Sequence, residues 1–294
     1  MTESYSTQSL NKTAKIDVTS INDDAISWIN GVETSLIDSA DRGLYYGDGL
    51  FETVAIVNGQ PQLWSQHEAR LQAGCERLSI TGVDMAALTD EVIRHCSRMP
   101  KGILKVIITR GCGGRGYAAP NELTPTRIIR LSKASIYPAT HREQGIKVRV
   151  CQQRLSHNAQ LAGIKHLNRL EQVLARQEWQ DEWVEGLMCN QHGEVIEGTM
   201  SNVFMVKADV LITPAIIDCG IAGVMRGMIL DSARALGINT LIQAISIDEL
   251  MTADEVFIGN SLIGIWPVRQ LDAQHFPVGP QTQGLMQAVS PYSC

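Results

Sequence analysis

A lysine in the stretch LAGIKHLNRLEQ has surroundings that suit covalent chemistry. Lys165 follows Ala162, Gly163 and Ile164, at the end of an extended stretch and directly before a predicted helix. Small and apolar neighbours favour a buried ε-amine, and burial lowers the pKa of an amine because it disfavours the charged form. A neutral amine is the form that makes a Schiff base with a carbonyl compound. Lys165 is therefore the candidate catalytic residue; the alternative is a solvated surface lysine.

A carboxylate in the stretch EVIEGTMSNVF is the second candidate for chemistry. Glu197 comes before a glycine-containing turn, where a carboxylate is ordinarily a polar turn residue. A pyridoxal phosphate enzyme needs an acid beside the ring nitrogen, because a protonated pyridinium accepts electrons from the substrate. We therefore take Glu197 as the candidate partner of such a ring nitrogen.

Donors for a phosphate group come from three separate segments. A predicted helix begins after Gly223, and the free backbone N–H groups at its start favour an anion. A polar pair at residues 260–261 follows the predicted strand EVFIG, and an arginine in HEARL is the candidate cation. The candidate cofactor-binding residues are Lys165, Glu197, Arg70, Val224, Met225, Asn260 and Ser261.

Residues 111–117 read GCGGRGY and satisfy the pattern G-x-G-x-x-G. A dinucleotide site with this pattern needs a strand before it and a helix directly after it. The strand GILKVIIT is present, but Pro120, Pro125 and a second β-like run follow where the helix should begin. We therefore predict a bent, hairpin-like loop that carries Arg115 and Tyr117, and no dinucleotide site.

Turn signals and hydrophobic periodicity predict an α+β fold in two halves. Asn-Gly pairs at 30–31 and 58–59 predict β-hairpins, and helices are expected at 65–78 and 85–99. Ser65 with Glu68, and Ser246 with Glu249, have the spacing of capping boxes. The predicted division is a polar, disordered extension at residues 1–25, an α+β domain at 26–140, a linker at 141–145 and a second α+β domain at 146–294.

Composition excludes several classes of function. The chain has 294 residues and a net charge of −6, without the long basic run of a nucleic-acid-binding protein. No apolar run is long enough to cross a membrane. Its 7 cysteines are scattered without a C-x-x-C pair, and its 7 histidines are equally dispersed, so we expect no metal site. Reduced thiols in a cytoplasmic protein are the simplest interpretation.

Several motifs resemble those of one enzyme family. The stretches DRGLYYGDGLFET, HEARL, GIKHLNRLEQVLAR, EGTMSNVF and GIAGVMR have the order and spacing of the class IV aminotransferases, the pyridoxal phosphate enzymes of fold type IV. The resemblance covers about residues 27–270, and the 32-residue interval from Lys165 to Glu197 also suits the family. It implies a two-domain fold similar to D-amino-acid aminotransferases, pyridoxal 5'-phosphate between the domains, and a homodimer.

The resemblance also implies roles for individual residues. By position, Lys165 is the Schiff-base lysine and Glu197 is the ring-nitrogen partner. Around the phosphate it implies Arg70, Val224, Met225 and Ser261. Arg115 and Tyr117 fall where relatives hold a substrate carboxylate, and Phe51 and Thr53 are expected to line the same pocket.

The resemblance is strongest to members that eliminate pyruvate from 4-amino-4-deoxychorismate and leave 4-aminobenzoate for folate synthesis. It is carried by GILKVIITRGCGGRGY together with LAGIKHLNRLEQVLAR, and it implies a pyridoxal-phosphate-dependent lyase. The alternative is a D-amino-acid or other class IV aminotransferase, which would use the same lysine and glutamate. Branched-chain members carry a tyrosine near the cofactor phenolate, five residues after the lysine, where this chain has Leu170. That difference disfavours branched-chain transamination and leaves the phenolate partner unassigned, with Asn168 and Arg169 as candidates.

Overall fold

A computed structural model describes residues 25–120, 123–180 and 182–292. The extension predicted at residues 1–25 lies outside these ranges except for its last residue. Within them the chain forms helices and strands in both halves, which confirms the predicted α+β class.

Strands from the first half form one six-stranded sheet, and two of the three helices share a hydrophobic core with it. The strands are β1 (Ile26–Ile29), β2 (Val32–Glu33), β3 (Gly49–Val57), β4 (Gln60–Pro61), β5 (Lys101–Thr109) and β6 (Thr126–Ser132). The helices are α1 (Arg42–Tyr46), α2 (Trp64–Leu78) and α3 (Met85–Cys96). The strand order is β2-β1-β6-β5-β3-β4 and every pair is antiparallel.

Alternation along β5 explains how this sheet packs. Leu104, Val106 and Ile108 point to one face and are fully buried in the core with residues of α2 and α3. Two Asn-Gly hairpins, β1 to β2 and β3 to β4, are confirmed. The first element described after the glycine loop is a strand, β6, and not the helix that a dinucleotide site requires.

One predicted capping box is wrong. Helix α2 begins at Trp64, its N-cap is Leu63, and no side chain caps it. Glu68 instead accepts a hydrogen bond from the Thr89 hydroxyl, 2.6 Å away, and Thr89 also accepts from the Trp64 indole. Burial of Trp64 against α3 therefore outweighs the local capping signal. The second box, Ser246 with Glu249, is confirmed at the start of a short helix.

A second, nine-stranded sheet is built from the other half of the chain. Its strands are β7 (Ile146–Arg154), β8 (Glu185–Cys189), β9 (Val195–Gly198), β10 (Asn202–Lys207), β11 (Val210–Pro214), β12 (Asn239–Gln243), β13 (Glu255–Asn260), β14 (Gly264–Leu271) and β15 (Gln274–His275). The helices are α4 (Thr140–Glu143), α5 (Leu170–Arg176), α6 (Val224–Ala235), α7 (Ile247–Met251) and α8 (Pro280–Val289). The order is β12-β11-β10-β13-β14-β7-β8-β9, with β15 paired to β14.

The segment predicted as a linker packs against the second sheet. It overlaps α4, and the His141 ring contacts the Trp266 ring of β14 with centroids 4.8 Å apart. The division into two domains with boundaries at 140 and 146 stays a prediction.

Three further observations concern the whole described chain. No helix in the described ranges has the length and apolar character needed to cross a membrane. The six cysteines for which the structure gives positions are all free thiols. In those ranges, no three His, Cys, Asp or Glu side chains are grouped so that they could hold a metal ion.

Candidate active site

A cavity of about 890 Å³ receives side chains from both halves of the chain. Its volume suits a drug-sized ligand or cofactor. It brings together all but two of the predicted site residues. Those that line it are Phe51, Thr53, Arg70, Lys165, Glu197, Val224, Met225, Asn260 and Ser261.

Backbone hydrogen bonds hold the segment that carries Lys165 between the two sheets. The Phe51 N–H donates to the Lys165 carbonyl over 2.9 Å, and the Leu167 N–H donates to Gly49 over 3.0 Å, both at the start of β3. On its other side, Gly163 exchanges two backbone hydrogen bonds with Gly220 and Ala222 of the second half. The lysine is thereby fixed relative to both sheets.

The Lys165 amine has an unusual environment for a cation. Its Nζ lies 4.5 Å from the centroid of the Phe51 ring. Burial and the nearby Arg70 charge lower the pKa of Lys165 to about 8, against the opposing effect of Glu52 and Glu197. The residue as a whole is partly exposed because it faces the cavity, yet its amine is largely desolvated. A substantial neutral fraction near neutral pH is what a Schiff-base lysine requires.

Glu197 is a buried carboxylate at the end of β9. It is 3% exposed, accepts a 2.8 Å hydrogen bond from the Ile221 N–H, and faces Gln172 at 3.5 Å. Burial raises the pKa of Glu197 to about 7, although the Ile221 hydrogen bond and the charges of Arg169 and Lys165 oppose that rise. A carboxylate with this pKa can share a proton with a basic ring nitrogen near neutral pH.

The start of α6 supplies free backbone donors to the cavity. Gly223 is the N-cap, and no side chain caps the N–H groups of the first turn. Any Cβ at Gly223 would lie 2.0 Å from the Asn202 Oδ1, whose amide group in turn donates to the Ile221 carbonyl over 2.9 Å. Glycine is needed here because Asn202 packs directly on the helix start.

Arg70 joins this helix start to a buried acidic group. Its guanidinium donates twice to Glu52, over 2.8 and 2.5 Å, and once to the Ala222 carbonyl over 3.0 Å. The His67 ring lies 2.6 Å from Glu52 through Nδ1. Burial alone would raise the pKa of Glu52, but Arg70 and His67 outweigh it and lower that pKa to about 2. An arginine has five N–H donors, so this one keeps two for an anion in the cavity.

Arg115 and Tyr117 are not among the described residues that line this cavity. Both are exposed, with Tyr117 88% accessible. Their loop is nevertheless ordered by Arg42, which is 3% exposed and donates to the Gly116 and Tyr117 carbonyls over 3.0 and 2.9 Å. The four glycines of residues 111–116 have φ between 78 and 131°, which explains why glycine is needed at each.

Sequence reasoning missed several residues that support the site. Glu52 and His67 orient Arg70, and Arg42 fixes the glycine loop. Glu185, fully buried, accepts hydrogen bonds from Thr199 to Ser201, in the turn after Glu197. The sequence held one signal: His67 and Arg70 are three residues apart in HEARL, hence on one face of a helix.

The charges of the cavity favour an anionic ligand. Its described lining contains four cationic side chains, Arg70, Lys165, Arg169 and Arg176, and one carboxylate, Glu197. A helix start with free N–H groups, a desolvated lysine and a buried acid are the donor set that pyridoxal 5'-phosphate needs. The residues present therefore fit that cofactor.

The chain is similar in sequence and structure to known aminodeoxychorismate lyases and aminotransferases. An aminodeoxychorismate lyase of Vibrio harveyi is 35% identical to this chain, over 88% of this chain and 97% of that protein. The crystal structure of a 4-amino-4-deoxychorismate lyase from Pseudomonas aeruginosa matches with a TM-score of 0.88 and 47% identity, covering 90% of this chain and 98% of that one. A D-alanine aminotransferase of Bacillus licheniformis is 28% identical, over 86% of this chain and 90% of that protein.

The family profile described as "Amino-transferase class IV" matches residues 49–271, a range that contains every residue of the cavity named above. That match covers most of the chain, and it includes both the lysine segment and the helix start. The chain therefore belongs to the class IV aminotransferase family.

Proposed function

We propose that this protein is an aminodeoxychorismate lyase that depends on pyridoxal 5'-phosphate. It would eliminate pyruvate from 4-amino-4-deoxychorismate and release 4-aminobenzoate for folate synthesis. The similarity to lyases at 35% and 47% identity, against 28% for a D-alanine aminotransferase, supports this choice. The free thiols of the six described cysteines agree with the cytoplasm as its location.

One observation carries the proposal: Lys165 and Glu197 line one cavity, with opposite pKa shifts. The lysine has a lowered pKa of about 8 and the glutamate a raised pKa of about 7. Such paired shifts allow proton transfer close to neutral pH. The bound cofactor supplies an electron sink when Glu197 keeps its ring nitrogen protonated.

We propose that Lys165 acts as the base in the elimination of pyruvate from the substrate. The Lys165 amine removes the proton from the ring carbon that bears the amino group of the substrate. The bond between the adjacent carbon and the enolpyruvyl oxygen then breaks, and its electrons leave with that oxygen. A proton delivered to the leaving group completes pyruvate, and the remaining ring becomes aromatic. No oxidant is consumed, because substrate and the two products contain the same atoms.

The proposal includes a homodimer. Helix α5 exposes Leu170, Val173 and Leu174, which are 76%, 49% and 51% accessible, and Val173 lies at the cavity lining. An apolar patch beside a cavity is typical of a protein–protein interface. A second copy of the chain would cover this patch. Its loop could then bring Arg115 and Tyr117 to a cavity that they do not reach within their own chain.

A product assay tests the function. Purified protein, loaded with pyridoxal 5'-phosphate, is mixed with enzymatically generated 4-amino-4-deoxychorismate and no keto acid. We expect one pyruvate and one 4-aminobenzoate for each substrate consumed. Activity that appears only when a keto acid and a D-amino acid are supplied would instead identify an aminotransferase. The variant Lys165→Ala is the control for background decomposition.

A further inference from the structure

Arg169 is a cationic residue of the cavity that the reaction described above does not use. It lies directly before α5 and lines the cavity with Lys165 and Glu197. Its charge lowers the pKa of both groups, so its guanidinium is close enough to act on each of them. Arg169 is therefore part of the site by position.

The guanidinium of Arg169 has an unused donor. Its Nε is buried and has no hydrogen-bond partner in the described chain, and none of the described carboxylates pairs with it. One terminal nitrogen contacts the ring of His166. Burial and the nearby positive charge of Arg169 lower the pKa of His166 to about 4, so this ring is neutral and can accept a hydrogen bond from the guanidinium. Because Arg169 also lines the cavity, donors of its guanidinium that have no partner in the described chain can bind an acceptor on a ligand there.

The residues on either side of Arg169, Asn168 and Leu170, do not provide a hydrogen-bond donor to the cavity. The Asn168 amide donates to the Gly47 carbonyl over 3.2 Å, the residue is exposed, and it is not part of the described lining. Leu170 is 76% exposed. Of the two residues that the sequence left as alternatives for the phenolate partner, only Arg169 lines the cavity.

We propose that Arg169 binds the ring oxygen of the pyridoxal cofactor and holds it as a phenolate. This inference rests on the proposed cofactor. A guanidinium keeps its proton in proteins, so it would donate to the oxygen and also stabilise its negative charge. Arg169 would thus set the cofactor's orientation and its titration, between the lysine and the glutamate.

A binding comparison with two cofactor forms tests the contact directly. The probes are pyridoxal 5'-phosphate and its analogue without the ring oxygen, 3-deoxypyridoxal 5'-phosphate. Wild-type protein should bind the parent compound about tenfold or more tightly than the analogue, since a charge-assisted hydrogen bond is lost. In Arg169→Met this preference should nearly disappear, and in Arg169→Lys it should be intermediate. The matched control Asn168→Ala should keep the full preference.

Two results would overturn the inference. One is an undiminished preference for the parent cofactor in Arg169→Met. The other is a wild-type protein that binds both compounds equally. Borohydride reduction separates these from a failure of the proposed function: an adduct on Lys165 in wild type shows that the cofactor is bound at the expected lysine. If wild type forms no adduct, the cofactor assignment fails, and the role of Arg169 fails with it.

Discussion

The Lys165 amine must be neutral to react, but the carboxylates near it favour its protonated form. Burial and the Arg70 charge lower its pKa to about 8, and Glu52 and Glu197 limit the decrease. The amine is thus mostly protonated at neutral pH but has a far larger neutral fraction than an ordinary lysine, whose pKa is about 10.4. The two glutamates therefore favour the protonated amine, but they do not restore the pKa of an ordinary lysine.

This balance predicts how the cofactor-free protein takes up pyridoxal 5'-phosphate. The neutral amine is the reactive form, so the uptake rate should rise about tenfold per pH unit below pH 8 and level off above about pH 9. Stopped-flow absorbance of the yellow complex measures the rate. A rate that keeps climbing through pH 10 would show an unperturbed lysine. The surface variant Lys207→Arg should follow the wild-type profile.

Glu197 should be required for turnover but not for holding the cofactor. In Glu197→Gln the amide cannot keep the ring nitrogen protonated, so kcat should fall by about a hundredfold while visible absorbance is retained. The same substitution at the exposed Glu182, which pairs with Lys147 on the surface, is the control. Near-normal kcat in Glu197→Gln would show that another residue partners the ring.

The start of α6 is an element whose function depends on a close contact. A Cβ at Gly223 would lie 2.0 Å from Asn202, whereas a Cβ at Gly227 would meet nothing within 4 Å. Gly223→Ala should therefore weaken pyridoxal 5'-phosphate binding by about tenfold or more, since it displaces the backbone donors. Gly227→Ala should leave affinity unchanged and raise the free energy of unfolding by about 0.5–1 kcal/mol. Equal affinities in the two variants would contradict the phosphate assignment.

The glycine loop is a second element that depends on one buried side chain. Arg42 donates to two carbonyls of the loop and to Asp48 over 2.9 Å. Arg42→Met removes these bonds, so the loop should become susceptible to limited proteolysis and KM for substrate should rise about tenfold. Cofactor absorbance should not change. Unaltered KM would mean that the loop does not contribute to substrate binding, and Arg234→Lys, on an exposed helix face, controls for general effects.

Local signals predicted those elements in which neighbouring residues decide the outcome. The Asn-Gly hairpins, the box at Ser246 and the start of α6 were all readable from a few adjacent residues. The predicted capping box at Ser65 is wrong because Glu68 accepts a hydrogen bond from Thr89, a residue distant in sequence. The same reasoning explains the site. Lys165 and Glu197 stood out by type and spacing, but the contact of Glu52 with Arg70 depends on how β3 packs against α2.

At the scale of the whole molecule, the cavity lies within one chain, but two of the four predicted substrate residues, Arg115 and Tyr117, do not line it. Arg70, Lys165 and Glu197 line it, whereas Arg115 lies on an exposed loop. A second copy of the chain that binds beside that cavity would bury the exposed apolar face of α5. If the dimer is assembled so, each complete site needs residues from two chains.

Subunit complementation tests this arrangement. Lys165→Ala should be inactive. Arg115→Ala should lose about ten- to hundredfold in kcat/KM, because the carboxylate grip is lost. Co-expression of the two variants with different tags yields mixed dimers, in which one site has Lys165 from one chain and Arg115 from the other. Such dimers should have roughly half the wild-type activity, because one of their two sites is intact. If Arg115 served its own chain's cavity, no site in the mixed dimer would be complete and its activity would not exceed that of Arg115→Ala. A protein that sedimented as a monomer at assay concentration would contradict the dimer itself.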